Sequence, residues 1–153
     1  MTTPTPPESE QDWRTHLIDD SAGIRALLQR TRRIAVLGIK MEPGQPAYYV
    51  PQYAQRAGYE IVPVPVYYPD ATEILGRPVV RTVAAAAPID MVNVFRRPKD
   101  IPAHVDDILR AKPASVWFQQ GIWHDEAAEQ LARAGIDVVQ DRCLMVEIRG
   151  IGR

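Results

Sequence analysis

Three short stretches of this chain carry the residue types that bind anions. Lys40 follows the segment Arg33-Ile34-Ala35-Val36-Leu37-Gly38, Arg96 and Arg97 follow Ile89 to Phe95, and the paired amides Gln119 and Gln120 follow Ala114 to Phe118. Each apolar run reads as a short buried strand. Each polar group sits just past its strand's C-terminal end. Cations and amides meeting on one rim of a protein of net charge −1 point to a local anion site, because the overall field attracts no anion. Backbone N–H groups of the turn after Gly38, and of the helix that follows, can face a phosphate. A single glycine after a strand is a weak signal on its own. The second and third glycines of the dinucleotide fingerprint are absent.

The elements that must hold these groups follow from periodicity and turn residues. Asp20 or Ser21 caps a helix running to about Thr31, and the first strand covers 33–38. Lys40 to Pro46 is turn chemistry, and a helix begins at Ala47-Tyr48 and ends at Gly58. Pro51 is expected in the first turn of that helix, where a missing N–H is harmless. Tyr59 to Val64 is a second strand. Val66 to Gly76 reads as a loop with one helical turn around Ala71–Ile74, Pro78–Val80 as an edge strand, and Thr82–Ala87 as a short helix. Strands Ile89–Phe95, Ala114–Gln119 and Ile136–Gln140 then alternate with helices Pro102–Ala111 and His124–Ala134. No connection reads as a two-residue hairpin, so the pattern implies βαβ units. The fold class is α/β: a Rossmann-like three-layer arrangement with a mostly parallel sheet of roughly five to six strands and helices on both faces. In such sheets ligands bind where the winding reverses, here expected between strands 33–38 and 89–95. The folded domain is set at 21–147. Residues 1–20 form an extension, loosely ordered up to about Gln11 and docked by Trp13, Leu17 and Ile18, and 148–153 form a tail.

Composition narrows the function. At 153 residues with 46% apolar and 24% charged residues, the chain is an ordinary globular domain with room for a core. Its balanced charge argues against nucleic acid or an anionic membrane as partner. No run of 18 apolar residues and no secretory start is present, and the single cysteine, Cys143, suits a reducing, cytoplasmic setting. His16, His104 and His124 lack metal-ligand spacing, so no metal is expected. There is no Gly-x-Ser-x-Gly elbow and no P-loop lysine motif.

The chain resembles the small, single-domain CoA-binding proteins, whose fold is similar to the CoA-binding domain of the succinyl-CoA synthetase alpha subunit and of ADP-forming acyl-CoA synthetases. The resemblance is carried by Ile34-Ala35-Val36-Leu37-Gly38, Pro46-Ala47-Tyr48, Gly58-Tyr59, Ile61-Val62-Pro63-Val64 and Glu73-Ile74-Leu75-Gly76. Further on it is carried by Val94-Phe95-Arg96-Arg97, Trp117-Phe118-Gln119-Gln120-Gly121-Ile122 and Asp141-Arg142-Cys143. It implies coenzyme A, or an acyl-CoA, as cofactor. Gly38, Ile39, Lys40 and Met41 would lie along its phosphates, and Pro65 and Val66 would flank the nucleotide. Phe95, Arg96 and Arg97 would border it from the other side, and Gln119, Gln120, Gly121 and Ile122 would face the pantetheine arm. Tyr48 joins this set as a ring that could stack on adenine, although packing of its helix explains it more simply.

The sequence departs from the family pattern at three places. Lys40 stands where a serine is usual, Gln45 where an arginine is usual, and Val66-Tyr67-Tyr68-Pro69 replaces an asparagine–proline turn. Two functions of different class remain. One is a binding module for CoA or a short acyl-CoA without chemistry of its own. The other is an enzyme, either a nicotinamide-dependent oxidoreductase or a component of an acyl-CoA synthetase. The oxidoreductase needs a carboxylate ending the second strand, and this chain has Val64-Pro65-Val66 there. The synthetase needs a histidine-bearing domain that this sequence does not contain. The binding module is therefore favoured.

Overall fold

A computed structural model of the chain describes residues 13–153. After a 3₁₀ turn at Trp13–His16 come α1 (Ser21–Arg30), β1 (Arg33–Leu37), α2 (Pro46–Arg56) and β2 (Glu60–Val64). A small hairpin follows, β3 (Glu73–Ile74) and β4 (Arg77–Pro78), then α3 (Val83–Ala86) and β5 (Met91–Val94). Two 3₁₀ turns, Pro98–Asp100 and Pro102–His104, lead into α4 (Val105–Ala111). The chain closes with β6 (Ser115–Phe118), α5 (Asp125–Arg133), β7 (Asp137–Val139) and α6 (Leu144–Gly150).

Five strands form one parallel sheet in the order β2-β1-β5-β6-β7. Winding runs outward from β1 to β2, then returns across β1 to β5, so the reversal lies between β1 and β5, as the sequence implies. Alternation along the strands feeds two cores. Ala35 and Leu37 pack with Val92, Val94, Val116 and Phe118 against Ile108 of α4 and Leu131 of α5. Ile34 and Val36 pack with Ile61, Met91 and Trp117 against Leu27 and Leu28 of α1, Val50 of α2 and Ile148 of α6. Burial of both faces is what a parallel sheet between two helix layers requires.

Several local expectations are corrected. The helix α2 starts at Pro46, two residues before Tyr48, so Pro46 takes the first position and Pro51 lies inside the helix. The segment 71–74 is not helical. Glu73 and Ile74 pair antiparallel with Pro78 and Arg77 across a two-residue turn, in which Leu75 and Gly76 both have positive φ, 56° and 73°. This is a hairpin of the kind the sequence reading excludes. Leu-Gly lacks the Asn-Gly or Asp-Gly signature that announces such turns. The hairpin and Val80, whose N–H donates to the Pro63 carbonyl at 3.0 Å, cover the outer edge of β2. Pro63 is tolerated because β2 is an edge strand.

Packing also continues past 21–147. The stretch read as a tail begins inside α6, whose Leu144 and Ile148 are fully buried. At the other end Trp13 is buried, and Leu17 pairs with Val138 in a parallel bridge. His16 Nδ1 lies 2.7 Å from Asp137 Oδ1. The expectation of a loosely ordered start falls on residues 1–12, outside the described residues.

Candidate functional site

The turn after β1 is built around close approach. Gly38 has φ +86°, and a Cβ there would lie 2.4 Å from the Phe95 carbonyl oxygen and 3.3 Å from Cδ of Arg96. Its N–H donates to the Val64 carbonyl at 2.9 Å, while Phe95 N–H donates to the Leu37 carbonyl at 2.9 Å. The missing side chain thus lets the end of β5, with the Arg96 stem, close over the end of β1.

The amides of Lys40 and Met41 are also engaged inside the chain. Lys40 N–H donates to the Ala47 carbonyl at 3.1 Å. That carbonyl is the one Pro51 leaves without its helical donor, since proline has no N–H and its ring tilts the carbonyl four residues back outward. Met41 N–H reaches the Tyr68 hydroxyl at 3.3 Å, and that hydroxyl donates to Glu42 Oε2 at 2.5 Å. The Tyr68 O–H, backbone donors and the nearby Lys40 charge hold the Glu42 carboxyl below the usual carboxylate range. Burial, then the Glu42 hydrogen bond, pushes the Tyr68 phenol up. The Arg81 guanidinium gathers the carbonyls of Tyr67, Tyr68, Pro69 and Ala71, fixing the loop that carries Tyr68. The N–H groups of Gly38, Lys40 and Met41 therefore serve the protein's own carbonyl and hydroxyl oxygens. The charged group this turn offers a ligand is the Lys40 side chain, which lines the cavity described below. Among the described residues Lys40 has no carboxylate within ion-pair distance.

At the end of β5, Arg96 is mostly buried and Arg97 exposed, their side chains 15% and 68% accessible. Arg96 Nε–H donates to His104 Nε2 at 3.2 Å, and its Nη2 lies 3.7 Å from Asp100 Oδ2. Arg97 Nε–H donates to the same Asp100 oxygen at 3.0 Å. The Arg97 hydrogen bond, aided by the surrounding cations, keeps Asp100 ionised to lower pH than usual. Burial, reinforced by the Arg96 charge, disfavours protonation of His104. Sequence reasoning assigned His104 and Asp100 no part here. Each reaches its arginine through 3₁₀ turns that do not stand out in the residue pattern.

The third turn is tied down from β7. Gly121 N–H donates to Asp141 Oδ1 at 2.6 Å, and Asp141 N–H donates to the Ile122 carbonyl at 3.0 Å. Asp141 adopts φ +57° to do so. Gln119 is buried, and its Oε1 accepts from Leu144 N–H at 3.2 Å and from Asn93 Nδ2 at 3.5 Å. It thereby caps α6 as well as reaching the rim. The quoted Asp-Arg-Cys motif thus has a structural meaning: Asp141 positions the Gln120–Ile122 turn, and the Arg142 carbonyl accepts from Trp117 Nε1 at 2.8 Å.

The three turns enclose a cavity of about 350 Å³ at the reversal point. Of the sequence candidates it brings together Lys40, Phe95, Arg96, Arg97, Gln119, Gln120, Gly121 and Ile122. Gln45, Pro46, Ala47 and Pro98 complete the lining. Gly38, Ile39, Met41, Tyr48, Pro65 and Val66 are not part of it. Ile39 and Pro65 are buried, Tyr48 is half-buried beside the helix start, and Met41 and Val66 are exposed beyond the rim. Three cations, three amide side chains and several apolar surfaces line the cavity, and no carboxylate does. Such a lining suits a ligand with phosphate at one end and an amide-bearing, partly apolar arm at the other. Among the described residues no cluster of three histidine, cysteine or acidic side chains could hold a metal ion. No helix among them is long and apolar enough to cross a membrane.

Comparison with known proteins places this geometry in a family. Residues 32–149 match the family described as CoA binding domain. The uncharacterized protein YneT of Bacillus subtilis (strain 168) is 38% identical over 126 residues, spanning 82% of this chain and 91% of that one. The solved structure of cell-free ID.343 from Thermus thermophilus superposes with a TM-score of 0.80 at 38% identity, covering 87% of this chain and 99% of that one. A hypothetical protein from Pyrococcus horikoshii OT3 gives a TM-score of 0.79 at 28% identity, covering 98% and 99%.

Proposed function

The chain belongs to the CoA-binding domain family, and on that premise we propose that it binds coenzyme A or a short acyl-CoA, non-covalently, at the C-terminal rim of the sheet between β1, β5 and β6. The observation that carries this reading is the convergence of Lys40, Arg96 and Arg97 in a cavity without carboxylates. A phosphate entering there meets positive charge on two sides. The pantetheine arm, with its two amides, then runs toward Gln119, Gln120 and Ile122. Any part of the nucleotide that extends past the cavity lies over Met41, Tyr48, Pro65 and Val66, four of the six candidates outside it. The residues that would have to act chemically are poorly placed for it: Cys143 does not line the cavity, and His104 lies behind Arg96. We therefore read the protein as a cytoplasmic small-molecule binding module rather than an enzyme. A nicotinamide cofactor is disfavoured because Val64, Pro65 and Val66 supply no carboxylate for the ribose hydroxyls.

The test is thermal unfolding with each ligand. Coenzyme A at about 100 times its dissociation constant stabilises the folded state by about 2.7 kcal/mol, which raises Tm by several degrees, while NAD leaves the curve unchanged. A shift with NAD and none with coenzyme A would refute the assignment.

A further inference from the structure

The two arginines of the cavity are held differently. Both are gripped at Nε, from the side away from the cavity, so that neither supporting residue lines it. Arg97 is gripped by a carboxylate, which cancels its charge, and it stands in solvent. Arg96 is gripped by an imidazole, which fixes its direction without cancelling its charge, and its side chain is largely buried. Asp100 at 3.7 Å from Arg96 Nη2 is within ion-pair distance but beyond hydrogen-bond reach, and the Tyr67 ring lies 6.0 Å from the guanidinium carbon, so the Nη atoms of Arg96 have no hydrogen-bond partner among the described residues. Because arginine can only donate, His104 must present an Nε2 lone pair and carry its proton on Nδ1. The histidine itself is well fixed. Ile101 and Val105 on either side of it are buried, and its backbone N–H donates to the Ile101 carbonyl at 2.9 Å.

We propose that Arg96 is the principal anion anchor of the cavity and that His104, neutral and protonated on Nδ1, is the positioning residue that aims it by accepting from Nε. The ligand group recognised is a phosphate or pyrophosphate. The inference deepens the CoA-binding reading in naming which cation does the work, but it stands on the arginine geometry and is tested with inorganic pyrophosphate as well as coenzyme A. A guanidinium fixed at Nε keeps a planar fork for two phosphate oxygens, and fixing it beforehand removes the ordering cost on binding.

The experiment is a double-mutant cycle read by calorimetric titration, with ¹⁵N NMR of the His104 ring in the ligand-free wild type. The expected results are a loss of about tenfold or more in pyrophosphate affinity for Arg96→Ala and about three- to tenfold for His104→Ala. His104→Gln, which keeps a neutral acceptor, stays within about twofold of wild type. In the Arg96→Ala background His104→Ala costs nothing further, because it acts only through that arginine. The ring shows the Nδ1–H tautomer. Undetectable pyrophosphate binding to the wild type, a His104→Ala loss that persists without Arg96, or an Nε2–H tautomer would overturn the proposal. Coenzyme A separates this outcome from the function. If pyrophosphate follows the cycle and coenzyme A does not bind, the anchor stands and the CoA reading fails. If coenzyme A binds but the two substitutions are additive, the anchor fails and the CoA reading stands.

Discussion

The backbone N–H of Lys40 donates to the carbonyl of Ala47 at 3.1 Å, a carbonyl that Pro51 cannot use. A proline inside a helix is ordinarily a defect. Here it leaves free an acceptor that ties the turn after β1 to the first turn of α2. The cation that lines the cavity is thereby held on a backbone bonded to the helix beside it.

Replacing Pro51 with alanine tests that tie. The new N–H competes for the Ala47 carbonyl, so hydrogen exchange at the Lys40 amide accelerates while the rest of α2 is unchanged or better protected. Global stability moves little, since the gain in helix propensity offsets the lost tether. Unaltered protection at Lys40 would mean that the tether does not depend on proline.

Gly38 and Gly58 separate two costs of a side chain. Both have positive φ, but a Cβ at Gly58 meets open space, whereas one at Gly38 meets the Phe95 carbonyl at 2.4 Å. Gly58→Ala is expected to cost about 1–2 kcal/mol from backbone conformation alone. Gly38→Ala should cost at least about 1 kcal/mol more, because β5 must move as well, and it should weaken ligand binding by displacing Arg96. Urea unfolding of the two variants checks the difference.

How much of this could be read from residues alone depends on the range of the interaction. The alternation of strands and helices, the reversal between β1 and β5, and the three turns that line the cavity follow from local patterns. The β3–β4 hairpin did not, because Leu75-Gly76 carries no hairpin signature. Nor did α6, a seven-residue helix whose formation rests on burying Leu144 and Ile148 rather than on local propensity. The family resemblance puts Gly38, Ile39, Lys40 and Met41 along the phosphates. The N–H groups of Gly38 and Met41 bond to Val64 and Tyr68, and which amides are already occupied is a tertiary fact. His104 was one unremarkable histidine until two 3₁₀ turns brought it to Arg96.

His104 also sets a pH dependence of stability. The groups facing it are Arg96, Asp107 and Asp100. Burial and Arg96 lower its affinity for protons in the folded state, and the two carboxylates only partly oppose them. The unfolded chain therefore binds the proton more readily. The stabilisation is complete above the ordinary histidine value of 6.5 and is lost as pH falls below it toward the depressed folded value. Between about pH 7.5 and about pH 5.5 the wild type should lose more stability than His104→Gln, which has no group to titrate there. The depressed Asp100 and Glu42 carboxyls lose their contribution only at lower pH. Parallel pH profiles for the two proteins would contradict this assignment.

Binding of coenzyme A in the cavity between the three turns is read out by mapping amide chemical-shift changes as the ligand is titrated into ¹⁵N-labelled protein. The large changes are expected on Lys40, Ala47, Phe95 to Arg97 and Gln119 to Ile122, with a weaker set reaching Val66. No changes are expected around Leu109, Lys112 and Gly135, which line a separate cavity beside α4 and α5. Shifts confined to that second cavity, or no saturable shifts at all, would contradict binding between the three turns.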